Sequence, residues 1–301
     1  MTDDGGLLLV HAHPDDEAFG SGGLIARSVA QGRRVDLVTC TGGEEGEIHD
    51  PTLDEAEAKP RLQEIRHTEL QCALDALRGN GPGTLQLHLL GYRDSGMMGT
   101  ESNAHPDAFW NADLDEATGR LVEIVRQTRP AVMVSYDSNG NYGHPDHINA
   151  YRIADAAWDA AADPERYPEA GSPHPVGKLY EIAFNRDRWM ALMNDMKERG
   201  IELPWGADED EAREPAEAGE EPSEEWGVAP EQLTTELDVA AFGHQKRACM
   251  DCHKTQRQDM GWLLDLPEDL QARALSPEYY VLRKWRDREV PDGYRETSVF
   301  D

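Results

Sequence analysis

The stretch Leu7-Leu8-Leu9-Val10-His11-Ala12-His13-Pro14-Asp15-Asp16-Glu17 decides how this chain is read. Its first four residues are a continuous apolar run, the pattern of a strand buried on both faces in a parallel sheet. The chain then breaks abruptly into histidine and carboxylates. Such crowding at a strand end is costly unless a cation or a reaction offsets it. A second stretch, Asn139-Gly140-Asn141-Tyr142-Gly143-His144-Pro145-Asp146-His147, repeats the arrangement directly after an expected strand at 131–136. Both contain His-Pro-Asp, as His13-Pro14-Asp15 and His144-Pro145-Asp146. Proline fixes its own φ and pushes the preceding residue to extended geometry, so each loop is a stiff frame before any ligand arrives.

Outward from these two loops the chain alternates strand and helix. The pattern predicts a helix over 22–31 stopped by Gly32, a strand at 35–39, and a helix over 60–77 with leucines near helical spacing. A strand at 85–90, a helix over 114–128 ended by Arg129-Pro130, the strand at 131–136 and a helix over 146–162 follow. This alternation implies an α/β fold: an open, mostly parallel, Rossmann-like sheet flanked by helices. Ligands bind such sheets at the carboxyl ends of strands, near a topological switch point. That rule puts 11–20, 41–48, 91–99 and 137–147 on one rim, and all four carry unusual polar chemistry.

The second half is less regular, with an expected strand at 178–184, a helix over 188–199, a strand at 234–239 and a helix over 242–258. We therefore expect a core over 1–170 and an α+β portion over 171–301 that completes the fold and covers the cleft. Residues 207–226 are acidic, with Pro, Gly and Ala and almost nothing apolar, and read as a solvated, mobile insertion. No internal repeat is visible.

Composition excludes more than it identifies. Of 301 residues, 59 are Asp or Glu against 29 Lys or Arg, a formal charge of −30. A surface that negative repels phosphate backbones and anionic headgroups, so neither nucleic acid nor membrane is an expected partner. The first residues carry no positive segment, and the apolar run at 7–10 is too short for a signal peptide or a membrane span. The chain reads as soluble and cytoplasmic. Four cysteines in this length do not suggest a disulfide framework. Cys249-Met250-Asp251-Cys252-His253 matches the c-type haem attachment pattern, yet it sits in a helical pattern and reads best as buried thiols on a packed helix. Gly42, Gly43 and Gly46 lack the spacing of a phosphate-binding loop, and the neighbouring glutamates would repel phosphate.

A mixed nitrogen and oxygen donor set with a vacancy for water suits catalytic Zn²⁺. The two His-Pro-Asp stretches, together with 39–47, resemble the LmbE/PIG-L family of zinc-dependent N-deacetylases over most of residues 5–160. The resemblance implies that His13, Asp16 and His147 hold one Zn²⁺ per chain, in a site that also accepts Fe²⁺ or Co²⁺. It implies Asp15 as the general base, a protonated His144 as oxyanion stabiliser and proton donor, Tyr142 as a donor to the oxyanion, and Asp146 as the residue that orients a histidine. Arg66, Asp94 and Glu47 are the implied substrate contacts. The segments 93–100 and 136–144 look closest to one branch, whose members free the amine of N-acetylglucosaminyl-inositol in mycothiol biosynthesis. An amidase of mycothiol S-conjugates, or a deacetylase of another N-acetyl sugar, is the alternative.

Overall fold

A computed structural model describes residues 5–201 and 227–301, so the acidic insertion at 207–226 lies outside the described residues. The chain runs β1 (Gly6–His11), α1 (Asp16–Gly20), α2 (Gly22–Ala30), β2 (Arg34–Thr41), α3 (Glu55–Ala58), α4 (Leu62–Arg78), β3 (Thr84–Tyr92), α5 (Leu114–Thr128), β4 (Pro130–Ser135), α6 (Gly140–Gly143) and α7 (Pro145–Ala160). It continues through β5 (Lys178–Ala183), α8 (Arg186–Glu198), β6 (Thr235–Leu237), α9 (Gly243–Cys252), α10 (Arg257–Leu264), α11 (Glu268–Leu275) and β7 (Glu278–Trp285).

One seven-stranded sheet has the order β3-β2-β1-β4-β5-β7-β6. The pairs from β3 through β5 are parallel, while β7 runs antiparallel to both β5 and β6. Leu7, Leu8, Leu9 and Val10 of β1 are fully buried, as expected for a central strand with helices on both faces. Their alternate side chains enter two separate cores: Leu7 and Leu9 pack with α2, α4 and the C-terminal helices, Leu8 and Val10 with α5 and α7. Each fully buried aliphatic side chain contributes about 1.5–3 kcal/mol, so β1 anchors both layers.

The chain builds outward from β1 through β2 to β3, then returns to place β4 on the other side of β1. The switch point therefore lies between β1 and β4, and both His-Pro-Asp loops leave the carboxyl ends of those two neighbouring strands.

The second half differs from expectation in three ways. The helix expected over 242–258 breaks at His253, with α10 beginning afresh at Arg257 after a 3-10 turn. The strand Glu278–Trp285 was not expected from pattern alone, and it carries β6 onto the sheet, so the portion from 171 onward extends the same sheet. Finally, Cys72 of α4 and Cys252 of α9 form a disulfide with Cα atoms 5.7 Å apart, which corrects the reading of Cys252 as a thiol; Cys40 and Cys249 are free and buried. The correction also removes Cys252 as a haem attachment point, and His253 is hydrogen-bonded elsewhere. Among the described residues, no helix is long and apolar enough to cross a membrane.

Candidate metal centre

Local sequence explains why the two loops converge. After β4 the chain turns tightly at Gly140, whose φ is +62° and where a Cβ would lie 2.5 Å from the His147 Cβ. Only glycine meets both conditions. Pro145 then opens α7, and the His144 side chain caps it by accepting the Asp146 N–H at 3.2 Å. His147 thus sits on the first turn of a helix aimed at the end of β1.

Three side chains form a triangle there. His13 Nδ1 lies 3.2 Å from His147 Nε2, His147 Nε2 lies 3.3 Å from Asp16 Oδ1, and His13 Nδ1 lies 3.5 Å from Asp16 Oδ2. Ligand atoms at zinc–nitrogen and zinc–oxygen distances in a tetrahedral site stand about 3.3 Å apart. His13 Nε2 donates to Asp146 Oδ2 at 3.2 Å, so a neutral His13 turns its Nδ1 lone pair to the other imidazole. Two imidazole nitrogens at that distance need a shared cation or a proton between them. The donor set therefore fits a divalent metal with an open position.

Other groupings are near enough to hold a metal, notably His13 with His144 and His147, and His13 with Asp94, His144 and Asp146. The carboxylates of the latter are already engaged. Asp146 accepts from Ser95 N at 2.9 Å, from the Ser95 hydroxyl and from His13, while Asp94 accepts from Gly96 N at 2.8 Å and Glu45 N at 3.3 Å. Asp16 is the better third donor: backbone and phenol donors engage its Oδ2, while its Oδ1 is turned to His147 at 3.3 Å.

The electrostatics follow from that crowding. Burial opposes charge on Asp16, but His147 and His13 outweigh it and hold the carboxyl well below its ordinary value. Burial also opposes charge on His13, yet Asp94, Asp146 and Asp16 raise it well above the usual imidazole range. Burial pushes Asp15 up to about 7, with Arg66 opposing and Asp16 adding repulsion. Burial, together with His13 and His147, pushes His144 down to about 2. In this state its ring is neutral, unlike the protonated form that the resemblance implies.

Asp15 is half-buried, and its Oδ2 receives Arg66 Nη2 at 2.9 Å. Arg66 is itself buried and also donates to the carbonyls of Pro14 at 2.6 Å and Gly43 at 2.8 Å, so most of its donors are spent on protein acceptors. Tyr142 is 55% exposed with its hydroxyl 3.5 Å from His147 Nε2, at the mouth of a cavity of roughly 270 Å³. Asp15, Asp16 and Tyr142 form its polar side, and Phe19, Ile182 and Phe184 its apolar side. Glu47 is not drawn inward: its carboxylate is 82% exposed and pairs with His49 at 3.0 Å.

Sequence reading missed Tyr136. Its hydroxyl accepts the Ala12 N–H at 2.8 Å and donates to Asp16 Oδ2 at 2.7 Å, and its ring stacks on His147 at 4.2 Å. One residue thus braces two of the three triangle members. A tyrosine at the end of the strand beside β1 was the available signal. Ser95, which fixes Asp146, was likewise visible only as part of a motif.

The profile of the family described as PIG-L: GlcNAc-PI de-N-acetylase matches residues 8–158. The chain belongs to that family. It is 41% identical over 302 residues to a protein of Geodermatophilus obscurus named 1D-myo-inositol 2-acetamido-2-deoxy-alpha-D-glucopyranoside deacetylase, covering 98% of this chain and 97% of that one. A similar fold is found in the N,N'-diacetylchitobiose deacetylase of Pyrococcus horikoshii, with a TM-score of 0.55, 17% identity, and coverage of 88% of this chain and 72% of that one. The 4-carboxy-2-hydroxymuconate hydratase of Pseudomonas putida shares it too, with a TM-score of 0.54, 18% identity, and coverage of 95% and 98%. A hydratase with a similar fold shows why activity must be argued from the site rather than the fold.

Proposed function

We propose that this PIG-L family member is a zinc-dependent amidohydrolase that removes the acetyl group of N-acetylglucosaminyl-inositol, releasing acetate and the free amine for mycothiol biosynthesis. The observation that carries the chemistry is the triangle of His13 Nδ1, Asp16 and His147 Nε2, with edges of 3.2–3.5 Å and Asp15 beside it. The substrate rests on the relative of matching length, which bears that deacetylase name. Within this reading the substrate is a free small molecule met in the cytoplasm. The charge of −30 supports the exclusion of nucleic acid and membrane surfaces.

His13, Asp16 and His147 would hold the metal, which supplies Lewis acidity toward the amide carbonyl and toward water. Zn²⁺ suits two imidazoles and a carboxylate, though Fe²⁺ and Co²⁺ tolerate the same donors. Asp15 takes the proton of the attacking water; burial near pH 7 operation suits a base. His144 and Tyr142 face the carbonyl oxygen as donors. Negative charge developing on that oxygen favours protonation of His144 from solvent, and His144 passes that proton to the departing amine while Asp15 returns the proton it took from water to solvent. Asp146 fixes the tautomer and direction of His13. Arg66 and Asp94 shape the substrate end mainly by holding Asp15 and the loop after β3, with Glu47 at the rim for a hydroxyl.

The test is release of primary amine by the metal-loaded protein from N-acetylglucosaminyl-inositol and, side by side, from a bimane mycothiol S-conjugate. The first substrate is expected to be preferred. Preference for the conjugate would replace the proposal by the amidase reading, and inertness toward both would sink it.

A further inference from the structure

Beneath the first His-Pro-Asp loop lies a wholly buried group that none of these steps uses. Glu17 has no exposed surface, and its Oε2 accepts the backbone N–H of Asp15 at 3.0 Å. Its Oε1 accepts the Nε2–H of His253 at 2.6 Å and, more weakly, the thiol of Cys249 at 3.6 Å. Glu17, Cys249 and His253 are close enough to hold a metal. A separation of 2.6 Å, however, is a closed hydrogen bond, well short of the ~3.3 Å between ligands around zinc.

The geometry of Asp15 gives this contact its meaning. Asp15 has φ 126° and ψ −26°, a strained conformation for a residue with a Cβ. Such strain costs about 1–3 kcal/mol and persists only where the surroundings over-determine it. Here they do so from two sides: Arg66 holds the carboxylate and Glu17 holds the N–H. A lone buried carboxylate could not serve as that second anchor, since an unpaired buried charge is strongly unfavourable. His253 supplies the pairing from 236 residues further along the chain.

His253 is delivered by the end of α9, where the helix stops. On one side of it, Cys252 is tied to Cys72 of α4. On the other, Thr255 donates its N–H and hydroxyl to Glu69 of α4 at 2.8 and 2.6 Å. Arg66 lies on that same helix, one turn earlier. Both restraints on Asp15 are therefore referred to α4.

We propose that Glu17 and His253 are positioning residues that set the backbone of Asp15, so that the second half of the chain reaches the reaction through a buried carboxylate–imidazole contact. This inference rests on the reading of Asp15 as the base. It assigns a role to the histidine of the Cys-x-x-Cys-His stretch.

The experiment is a double-mutant cycle on the metal-loaded full chain, with bound metal, KM and kcat measured for His253→Ala, His253→Gln and Asp15→Ala, singly and combined. His253→Ala is expected to keep its metal and KM and to lose about 10²-fold in kcat, the scale of an ångström of misplacement. His253→Gln, which restores an N–H donor of similar reach, should recover most of that loss. In the Asp15→Ala background His253→Ala should cause no further loss, because the residue it positions is gone. A wild-type kcat for His253→Ala, no recovery by Gln, or an equal loss in both backgrounds would overturn the proposal. If His253→Ala does not fold, Glu17→Gln run through the same cycle decides it, with an equal loss in both backgrounds again fatal. An unimpaired Asp15→Ala would instead refute the base assignment, and is seen separately.

Discussion

Removing the single oxygen of Tyr136 separates the brace on the metal centre from the packing around it. Phenylalanine keeps the ring that stacks on His147 at 4.2 Å, so the aromatic contact survives. What disappears is the hydroxyl, which accepts from Ala12 N at 2.8 Å and donates to Asp16 Oδ2 at 2.7 Å. Ala12 is fully buried, and a buried N–H left without an acceptor costs about 1–3 kcal/mol. The bond to Asp16 is charge-assisted and contributes about 1.5–3 kcal/mol, towards the lower end here because Asp16 Oδ2 keeps the His13 N–H as a donor at 2.7 Å. Tyr136→Phe should therefore destabilise the metal-free protein by about 2–4 kcal/mol, a fall in Tm of about 3–6 °C for a chain of this length. With Asp16 free to rotate out of the triangle, zinc affinity should fall about 10–100-fold, the usual effect of losing a partner that orients a ligand. Competition against a chromophoric chelator measures the affinity, and thermal unfolding with and without metal measures the stability. Wild-type zinc affinity together with a wild-type Tm would refute the argument that this hydroxyl orients Asp16.

The remaining expectations concern the triangle, the base and one distant carboxyl. His13→Ala and His147→Ala should each abolish stoichiometric zinc and turnover; full metal content measured by atomic absorption would remove that residue from the ligand set. Asp15→Ala should retain zinc while kcat falls by about 10²–10⁴-fold, the range of a lost general base, and a normal kcat would exclude it. On β5, burial raises the Glu181 carboxyl to about 7, opposed by Arg283 and reinforced by Asp137 and Asp155. Folding thus takes up a proton between the ordinary value of 4.5 and about 7, so the group costs nothing at low pH and its penalty grows as pH rises, complete above about pH 7. Glu181→Gln should then raise stability at about pH 8, by at most ~3 kcal/mol, and leave it unchanged near pH 4; a gain of equal size at both pH values would contradict the cause.

How much of this was legible follows from the range over which each signal acts. Buried parallel strands announce themselves locally, as Leu7-Leu8-Leu9-Val10 does, and the parallel half of the sheet was readable from such runs. The convergence of His13, Asp16 and His147 was readable too, although its members lie up to 134 positions apart, because two like motifs each close a strand and the sheet rule sends both to one rim. The antiparallel end was not. Glu278–Trp285 mixes buried and half-exposed positions with charged residues, so its membership of the sheet depends on pairing with β5 rather than on its own pattern.

The contacts that refine the site were hidden for a related reason. Arg66 was a substrate contact by resemblance, but its guanidinium meets Pro14, Asp15 and Gly43 as acceptors first. His253 looked like part of a continuous helix, since the apolar spacing runs past it. What stops the helix is tertiary: the Glu17 carboxylate, fully buried at the start of α1, needs a partner, and a histidine held in helical conformation beyond Cys252 would not be at the φ of −83° and ψ of 65° from which it supplies one. A local propensity of a few tenths of a kcal/mol per residue yields to a buried charge whose isolation would cost several. The break in α9, and with it the link from the C-terminal half to Asp15, is set by electrostatics acting across the fold. Spacing along the chain carries no record of it.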